Sequence, residues 1–158
     1  MKVSVVGSSF APKTFRKAWA SLFTITRAED AELVFYSQDT DIANSGKREE
    51  ESLKPLIKAI HKDLKVPLII TSQVTPGFTR SLGIEVFNMA ETLRIKDAPE
   101  RALKPDYFVI GCPDVKQTLP VPIQMFVMSF NVPLIKVTWE EAEFSKMAVN
   151  MTLASQVD

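Results

Sequence analysis

Val66-Pro67-Leu68-Ile69-Ile70-Thr71 is a short, β-branched, almost wholly apolar run, and Pro76-Gly77 closes it on the C-terminal side. A half-buried strand would alternate apolar and polar residues, so a continuous run of this length predicts a strand covered on both faces. Upstream, Leu53, Leu56, Ile57, Ile60 and Leu64 recur at helical spacing, and Pro55 fits such a helix only in or near its first turn. The polar stretch from Gln38 to Lys47 reads as a loop, and Ala31 to Tyr36 as another apolar strand. Before that, Pro12 stands where a helix begins, with Phe15, Ala18, Trp19 and Leu22 as its apolar face. Lys2-Val3-Ser4-Val5-Val6-Gly7 is the first strand, ended by glycine.

Downstream of the same run, Phe78 to Val86 reads as helical, and residues 88–104 as charged and irregular around Pro99. Tyr107-Phe108-Val109-Ile110-Gly111 and Pro133-Leu134-Ile135-Lys136-Val137 are two further strands. Between them lies an apolar stretch, Leu119 to Phe130, in which a helix is confined to the part after Pro122, and Trp139 onward is helical again. Apolar strands alternating with helices predict an α/β domain of about five mainly parallel strands with helices on both faces. In such sheets ligands sit beyond the C-terminal strand ends. Those ends are read as Gly7-Ser8-Ser9, Ser37-Gln38-Asp39-Thr40, Ser72-Gln73-Val74-Thr75 and Gly111-Cys112.

A chain of 158 residues suits a single domain, 1–158. Lys plus Arg and Asp plus Glu are 19 each, so overall charge supplies no reason to propose nucleic acid or an anionic membrane as partner. No run approaches the roughly 18 apolar residues of a membrane span. The single cysteine, Cys112, excludes an internal disulfide and a Cys-rich metal site, and fits a reducing, cytoplasmic setting. With His61 as the only histidine, no metal site is assigned. The plainer reading of Cys112 is a small buried hydrophobe, of His61 a solvated side chain, and of Met125, Phe126, Met128 and Phe130 core. Ser8-Ser9 either caps the first helix or holds a phosphate at its N-terminus.

Four segments, in order, carry a resemblance: Ser72-Gln73-Val74-Thr75-Pro76-Gly77-Phe78-Thr79-Arg80, Asn88-Met89-Ala90-Glu91-Thr92-Leu93-Arg94, Lys104-Pro105-Asp106 with the strand to Gly111, and Thr138-Trp139-Glu140-Glu141-Ala142-Glu143-Phe144-Ser145-Lys146-Met147-Ala148-Val149-Asn150. Together they resemble the UDP-glucose/GDP-mannose dehydrogenase family, in its NAD-binding N-terminal domain. That resemblance implies an abbreviated Rossmann-like fold and an oxidoreductase ancestry, the NAD-dependent oxidation of a nucleotide-sugar C6 alcohol to the acid. It implies that Lys146 stabilises an oxyanion and Asn150 supports it, the two lying on one helix face. It makes Glu91 a general base, puts Gln73 where the family positions a water, and puts Gly7, Ser8, Ser9 and Thr40 beside NAD. It also implies that residues 139–158 begin the family's inter-domain helix. Met147, Ala148, Met151, Leu153, Ala154 and Val157 would then form an apolar stripe pairing two subunits as a homodimer.

The same residues also depart from the pattern. Gly7 is followed by Ser8-Ser9-Phe10-Ala11-Pro12, without the second and third glycines that let a backbone approach a pyrophosphate. A strand-helix unit that would bring the ribose-binding acid is missing. Cys112 does not match the family's catalytic cysteine, which lies with the sugar-nucleotide domain beyond the last residue here. Weak or absent NAD binding, and no turnover by the isolated chain, are therefore expected. Without the resemblance, Lys146 and Asn150 read first as exposed polar positions on an amphipathic helix; with it, that reading and a pocket-lining one weigh evenly. Two functions stay open: a nucleotide-sugar dehydrogenase relative, and a non-catalytic binding or interaction module on the same fold.

Overall fold

The computed structural model describes residues 1–38, 47–89 and 97–146. These form one seven-stranded sheet in the order β2-β1-β3-β4-β5-β6-β7. The strands are β1 (Lys2–Val6), β2 (Thr24–Ile25), β3 (Leu33–Tyr36), β4 (Leu68–Ile70), β5 (Phe87–Met89), β6 (Phe108–Cys112) and β7 (Leu134–Thr138). The helices are α1 (Phe10–Trp19), α2 (Lys47–Asp63), α3 (Phe78–Ser81), α4 (Ala98–Leu103) and α5 (Val121–Met128). A last helix, α6, is described over residues 139–146. None of the described helices is long and apolar enough to cross a membrane.

The expected α/β architecture is present, with seven strands where about five were anticipated. The additional ones, β2 and β5, are two and three residues long. β2, parallel to β1 on its outer side, corrects the expectation that the strand after α1 is missing: the strand is there, followed by only a three-residue 3-10 turn, Ala28–Asp30. Segments so short carry no readable apolar run and are made by their neighbours: Lys2 and Val3 pair with Thr24 and Ile25, Ile69 and Ile70 with Phe87 and Asn88. The helix expected over Phe78 to Val86 is only α3, because Gly83, at φ +68°, turns the chain toward β5. Residues 98–103, expected to be irregular, form α4 with Pro99 in its first turn.

Pro55 lies inside the seventeen-residue α2 rather than at its start. The helix extends backward through the charged Glu49-Glu50-Glu51 stretch, where Lys54 pairs with Glu51 at 2.6 Å. The Thr75 hydroxyl also donates to Glu50 at 2.8 Å, tying that extension to the end of β4.

β1 to β5 are parallel, whereas β6 pairs antiparallel with β5 and parallel with β7. One row of paired residues crosses the sheet: Val6, Tyr36, Ile70, Asn88, Gly111 and Val137. The reversal corrects one expectation. Gly111-Cys112 does not end at the ligand edge; β6 runs away from it, and Cys112 lies beside the start of β5.

Alternation along the strands divides the core in two. Val3, Val5, Leu33, Phe35 and Ile69 face α1, α4 and α5; Val34, Tyr36, Leu68 and Ile70 face α2 and α3. The first layer centres on Phe126, whose ring lies 4.9–5.6 Å from those of Trp19, Phe23, Phe35, Phe108 and Phe130. Trp19 Nε1 donates to the Ala102 carbonyl at 3.0 Å and so locks α1 to α4. Phe126 is core as expected, whereas Met125 and Met128, on the outward side of α5, are 49% and 76% exposed.

Candidate functional site

The C-terminal ends of β1, β3, β4 and β5 define the ligand edge. The order 2-1-3-4-5 puts the topological switch point between β1 and β3, where open α/β sheets bind their ligands. Here the chain's own groups fill that crevice. Gly7 adopts φ +146°, and a Cβ on it would stand 2.8 Å from Pro12 Cγ and 3.2 Å from the Gln38 nitrogen. Ser8 N–H donates to Gln38 Oε1 at 3.0 Å. Arg16 reaches back from α1 to donate to the carbonyls of Val5 at 2.7 Å and Gly7 at 2.9 Å. Ser9 occupies the N-cap position of α1 without a side-chain capping bond.

A pyrophosphate needs free backbone N–H groups at this turn and room to approach them. Among the described residues, the Ser8 N–H is engaged, Pro12 has none, and the proline ring closes over Gly7. The arrangement does not fit a dinucleotide.

Two strands along, about 10 Å away at ordinary strand spacing, lies the second feature of the edge. α6 starts at the opposite side of the sheet and climbs back across it. At its base, Trp139 Nε1 donates to the Val86 carbonyl at 2.8 Å, and Asn88 Nδ2 donates to the Trp139 carbonyl at 3.2 Å. One turn further, the Glu143 carboxylate accepts from Gly77 N–H at 3.0 Å, Thr79 N–H at 3.0 Å and the Thr79 hydroxyl at 2.9 Å. Asn88 Nδ2 also donates to Thr79 Oγ1 at 3.0 Å, closing the chain of bonds. At the top, Lys146 Nζ donates to the Thr71 carbonyl at 3.3 Å. Lys146, Glu143, Thr79, Asn88 and Ser72 are all buried.

The helix passes close to the sheet because Gly111 has no side chain: a Cβ there would stand 2.9 Å from Ala142 Cβ. On the outer side, Arg80 pairs with Glu140 and lies 5.1 Å over the Trp139 ring. That pairing raises the Arg80 pKa and lowers that of Glu140. Burial raises the Glu143 carboxyl above its ordinary value, against the opposing pull of the hydrogen bonds from Thr79 and Gly77.

Neither family models nor curated proteins match the sequence. Solved structures do match. A UDP-glucose dehydrogenase from Pyrobaculum islandicum aligns with 97% of this chain at 17% identity and a TM-score of 0.70. GDP-mannose dehydrogenase from Pseudomonas aeruginosa aligns with 99% at 16% identity and 0.64. NDP-N-acetyl-D-galactosaminuronic acid dehydrogenase from Methanosarcina mazei aligns with 94% at 16% identity and 0.66. Its structural neighbours are nucleotide-sugar dehydrogenases. The chain spans about half the length of each: 50%, 51% and 46%. At these identities the likeness is one of fold.

The segments that resemble the nucleotide-sugar dehydrogenases meet physically. The Pro76-Gly77 turn is bonded to Glu143 of the lysine-bearing helix, Asn88 spans both, and Gly111 makes room for their junction. Lys146 is thereby brought to the end of β4, where half-buried Gln73 follows Ser72. Gly7, Ser8 and Ser9 stand apart from it, at the β1 end. Asn150, Glu91 and Thr40 lie outside the described residues, as do Met147 to Val157 of the proposed subunit contact.

Cys112, 2% exposed, donates weakly to the Ile110 carbonyl, and burial pushes its thiol up. It behaves as a packed side chain away from the ligand edge. Among the described residues no three His, Cys, Asp or Glu side chains gather as metal ligands.

Sequence reasoning missed the roles of Glu143, Asn88, Arg16 and Gln38. Glu143 and Asn88 stood inside quoted motifs, and a carboxylate three residues before Lys146 was the available signal. Arg16 and Gln38 gave none, since their partners are fixed only by the fold.

Proposed function

We propose that this chain is a relative of the nucleotide-sugar dehydrogenases that keeps the lysine-bearing edge of their fold and does not oxidise a sugar nucleotide by itself. The observation that carries the reading is Lys146, buried and delivered to the β4 end by the bonds among Glu143, Thr79 and Asn88. An ammonium group held there suits a ligand oxygen bearing negative charge, and the nucleotide-sugar class fits by resemblance. By resemblance, Asn150, Glu91 and Gln73 are assigned to the same chemistry as Lys146, and the apolar residues between Met147 and Val157 to a homodimer contact. A single, buried cysteine suits a reducing cytoplasm.

A second reading, a non-catalytic binding or interaction module, is favoured by the filled crevice at Gly7, Ser8 and Gln38. The one cysteine, Cys112, lies away from the ligand edge, so covalent catalysis through a thiol has no starting point there.

Calorimetry on the full chain with NAD⁺, NADH, UDP-glucose and GDP-mannose separates the readings. NAD⁺ is expected to bind weakly or not at all, and no NADH is expected to form. Binding of a sugar nucleotide that is lost in Lys146→Met supports the relative. An absence of heat with every ligand, from protein shown to be folded, supports the module. A dissociation constant in the low micromolar range for NAD⁺ overturns the crevice argument.

A further inference from the structure

Most polar groups where β4, β5 and α6 meet are paired, but two are not. Ser72 is 8% exposed and Asn88 is 4% exposed; Ser72 Oγ and Asn88 Oδ1 are both sealed from solvent without a hydrogen-bond partner. Asn88 has committed its amide nitrogen to Thr79 and Trp139, which leaves its oxygen as an unused acceptor. Ser72 has both a donor and an acceptor to satisfy. The two residues line the same small cavity of about 10 Å³, together with Glu143 and Lys146 and the apolar Ile70 and Ala142.

A volume of that size corresponds to one water molecule, and a buried water requires two to four polar partners. The walls supply a hydroxyl, an amide oxygen, a carboxylate and an ammonium group. Buried polar atoms in folded proteins are almost always bonded, to protein or to ordered water. A dry cavity here would leave two oxygens unpaired in a space that Lys146 also lines.

We propose that this cavity holds a single structural water that accepts from the Ser72 hydroxyl and the Lys146 ammonium and donates to Asn88 Oδ1. The water then supports Lys146 in addition to the Thr71 carbonyl. Ser72 becomes a positioning residue for the lysine, acting through the water rather than on any ligand. The inference is independent of whether the chain binds or oxidises a sugar nucleotide, since it concerns the unliganded fold.

A high-resolution crystal structure of the ligand-free protein tests it, with thermal unfolding of Ser72→Ala as the second measurement. The expected map has a peak within hydrogen-bond distance of both Ser72 Oγ and Lys146 Nζ, which disappears or moves in Ser72→Ala. The expected Tm of Ser72→Ala is lower by roughly 2–4 °C, because a bonded hydroxyl is lost. In a dry cavity the same substitution removes an unpaired hydroxyl, and Tm rises. A wild-type map without the peak overturns the proposal whatever Tm does, and a peak that persists unmoved in Ser72→Ala overturns the role given to Ser72.

Discussion

Replacing Gly111 by alanine tests how the lysine-bearing helix is seated. The added Cβ would stand 1.8 Å from Asn88 Oδ1, 2.8 Å from Asn88 Cγ and 2.9 Å from Ala142 Cβ. Contacts this short cannot be absorbed by a rotamer change, because the Asn88 amide is fixed by its bonds to Thr79 and the Trp139 carbonyl. Asn88 must swing away and α6 must lift. Losing two buried hydrogen bonds costs about 0.5–1.5 kcal/mol each, and forcing a methyl into a packed core adds about 1–3 kcal/mol.

Gly111→Ala is therefore expected to destabilise by about 4 kcal/mol, a fall in Tm of roughly 8–16 °C for a domain of this size. Urea unfolding followed by far-ultraviolet circular dichroism measures it. Adding Asn88→Ala to Gly111→Ala removes the clashing partner, so the double variant is expected to be less destabilised than the two single effects added together. A Gly111→Ala protein within 0.5 kcal/mol of wild type, or strict additivity in the double variant, refutes the steric reasoning.

Glu143→Gln keeps the shape but sets an amide N–H₂ against two backbone N–H groups and a hydroxyl, and is expected to cost about 2–3 kcal/mol in urea unfolding. Burial raises the Glu143 pKa above its ordinary 4.5. The folded state therefore binds the proton more readily, and this group's stabilising contribution is full below pH 4.5 and lost as pH rises through the folded value. A stability series starting at pH 4.5 should show that downward contribution in wild type and not in Glu143→Gln; identical pH slopes would remove Glu143 as its source. Cys112, with its thiol pushed up by burial, is expected to react with an aromatic disulfide reagent only as fast as the protein unfolds. Labelling of the native protein within seconds at neutral pH would contradict its packing.

What the sequence makes legible follows from which signals are local. Val3, Val5, Leu33, Phe35, Leu68, Ile69 and Ile70 announce their strands because a continuous apolar run needs no partner to be recognised. Thr24-Ile25 and Phe87-Asn88-Met89 are strands only because β1 and β4 lie beside them with open hydrogen-bonding edges. An apolar run also carries no arrow, so the reversal of β6, and with it the displacement of Cys112 from the ligand edge, could not be read from Phe108 to Cys112. Likewise α5 looks uniformly apolar, and only its packing decides that Phe126 is core while Met128 faces solvent.

At the site, Lys146 was visible through the resemblance of its helix. Glu143's partners lie 64 and 66 residues away, at Thr79 and Gly77, a distance across which no periodicity operates. The filled crevice was half legible. The absent glycines and Pro12 foretold a poor phosphate turn, but the bond from Ser8 to Gln38 depends on β1 and β3 being neighbours.

The return of α6 across the sheet also orders events in time. The parallel half of the molecule, β1 to β5, is encoded in the first 89 residues, whereas Lys146 meets Thr71 across a separation of 75. Contacts of that span are entropically expensive to close and are rewarded late. On the ribosome, synthesis runs from the N-terminus, so the parallel strands emerge and can associate while β5 still presents an unpaired rim. The mutually parallel pair β6–β7 then seals that rim by pairing antiparallel to β5, and the lysine helix docks last. Any ligand that recognises Lys146 thus reports completed folding of the chain through residue 146, and chains halted before α6 would carry the sheet and no lysine at its edge.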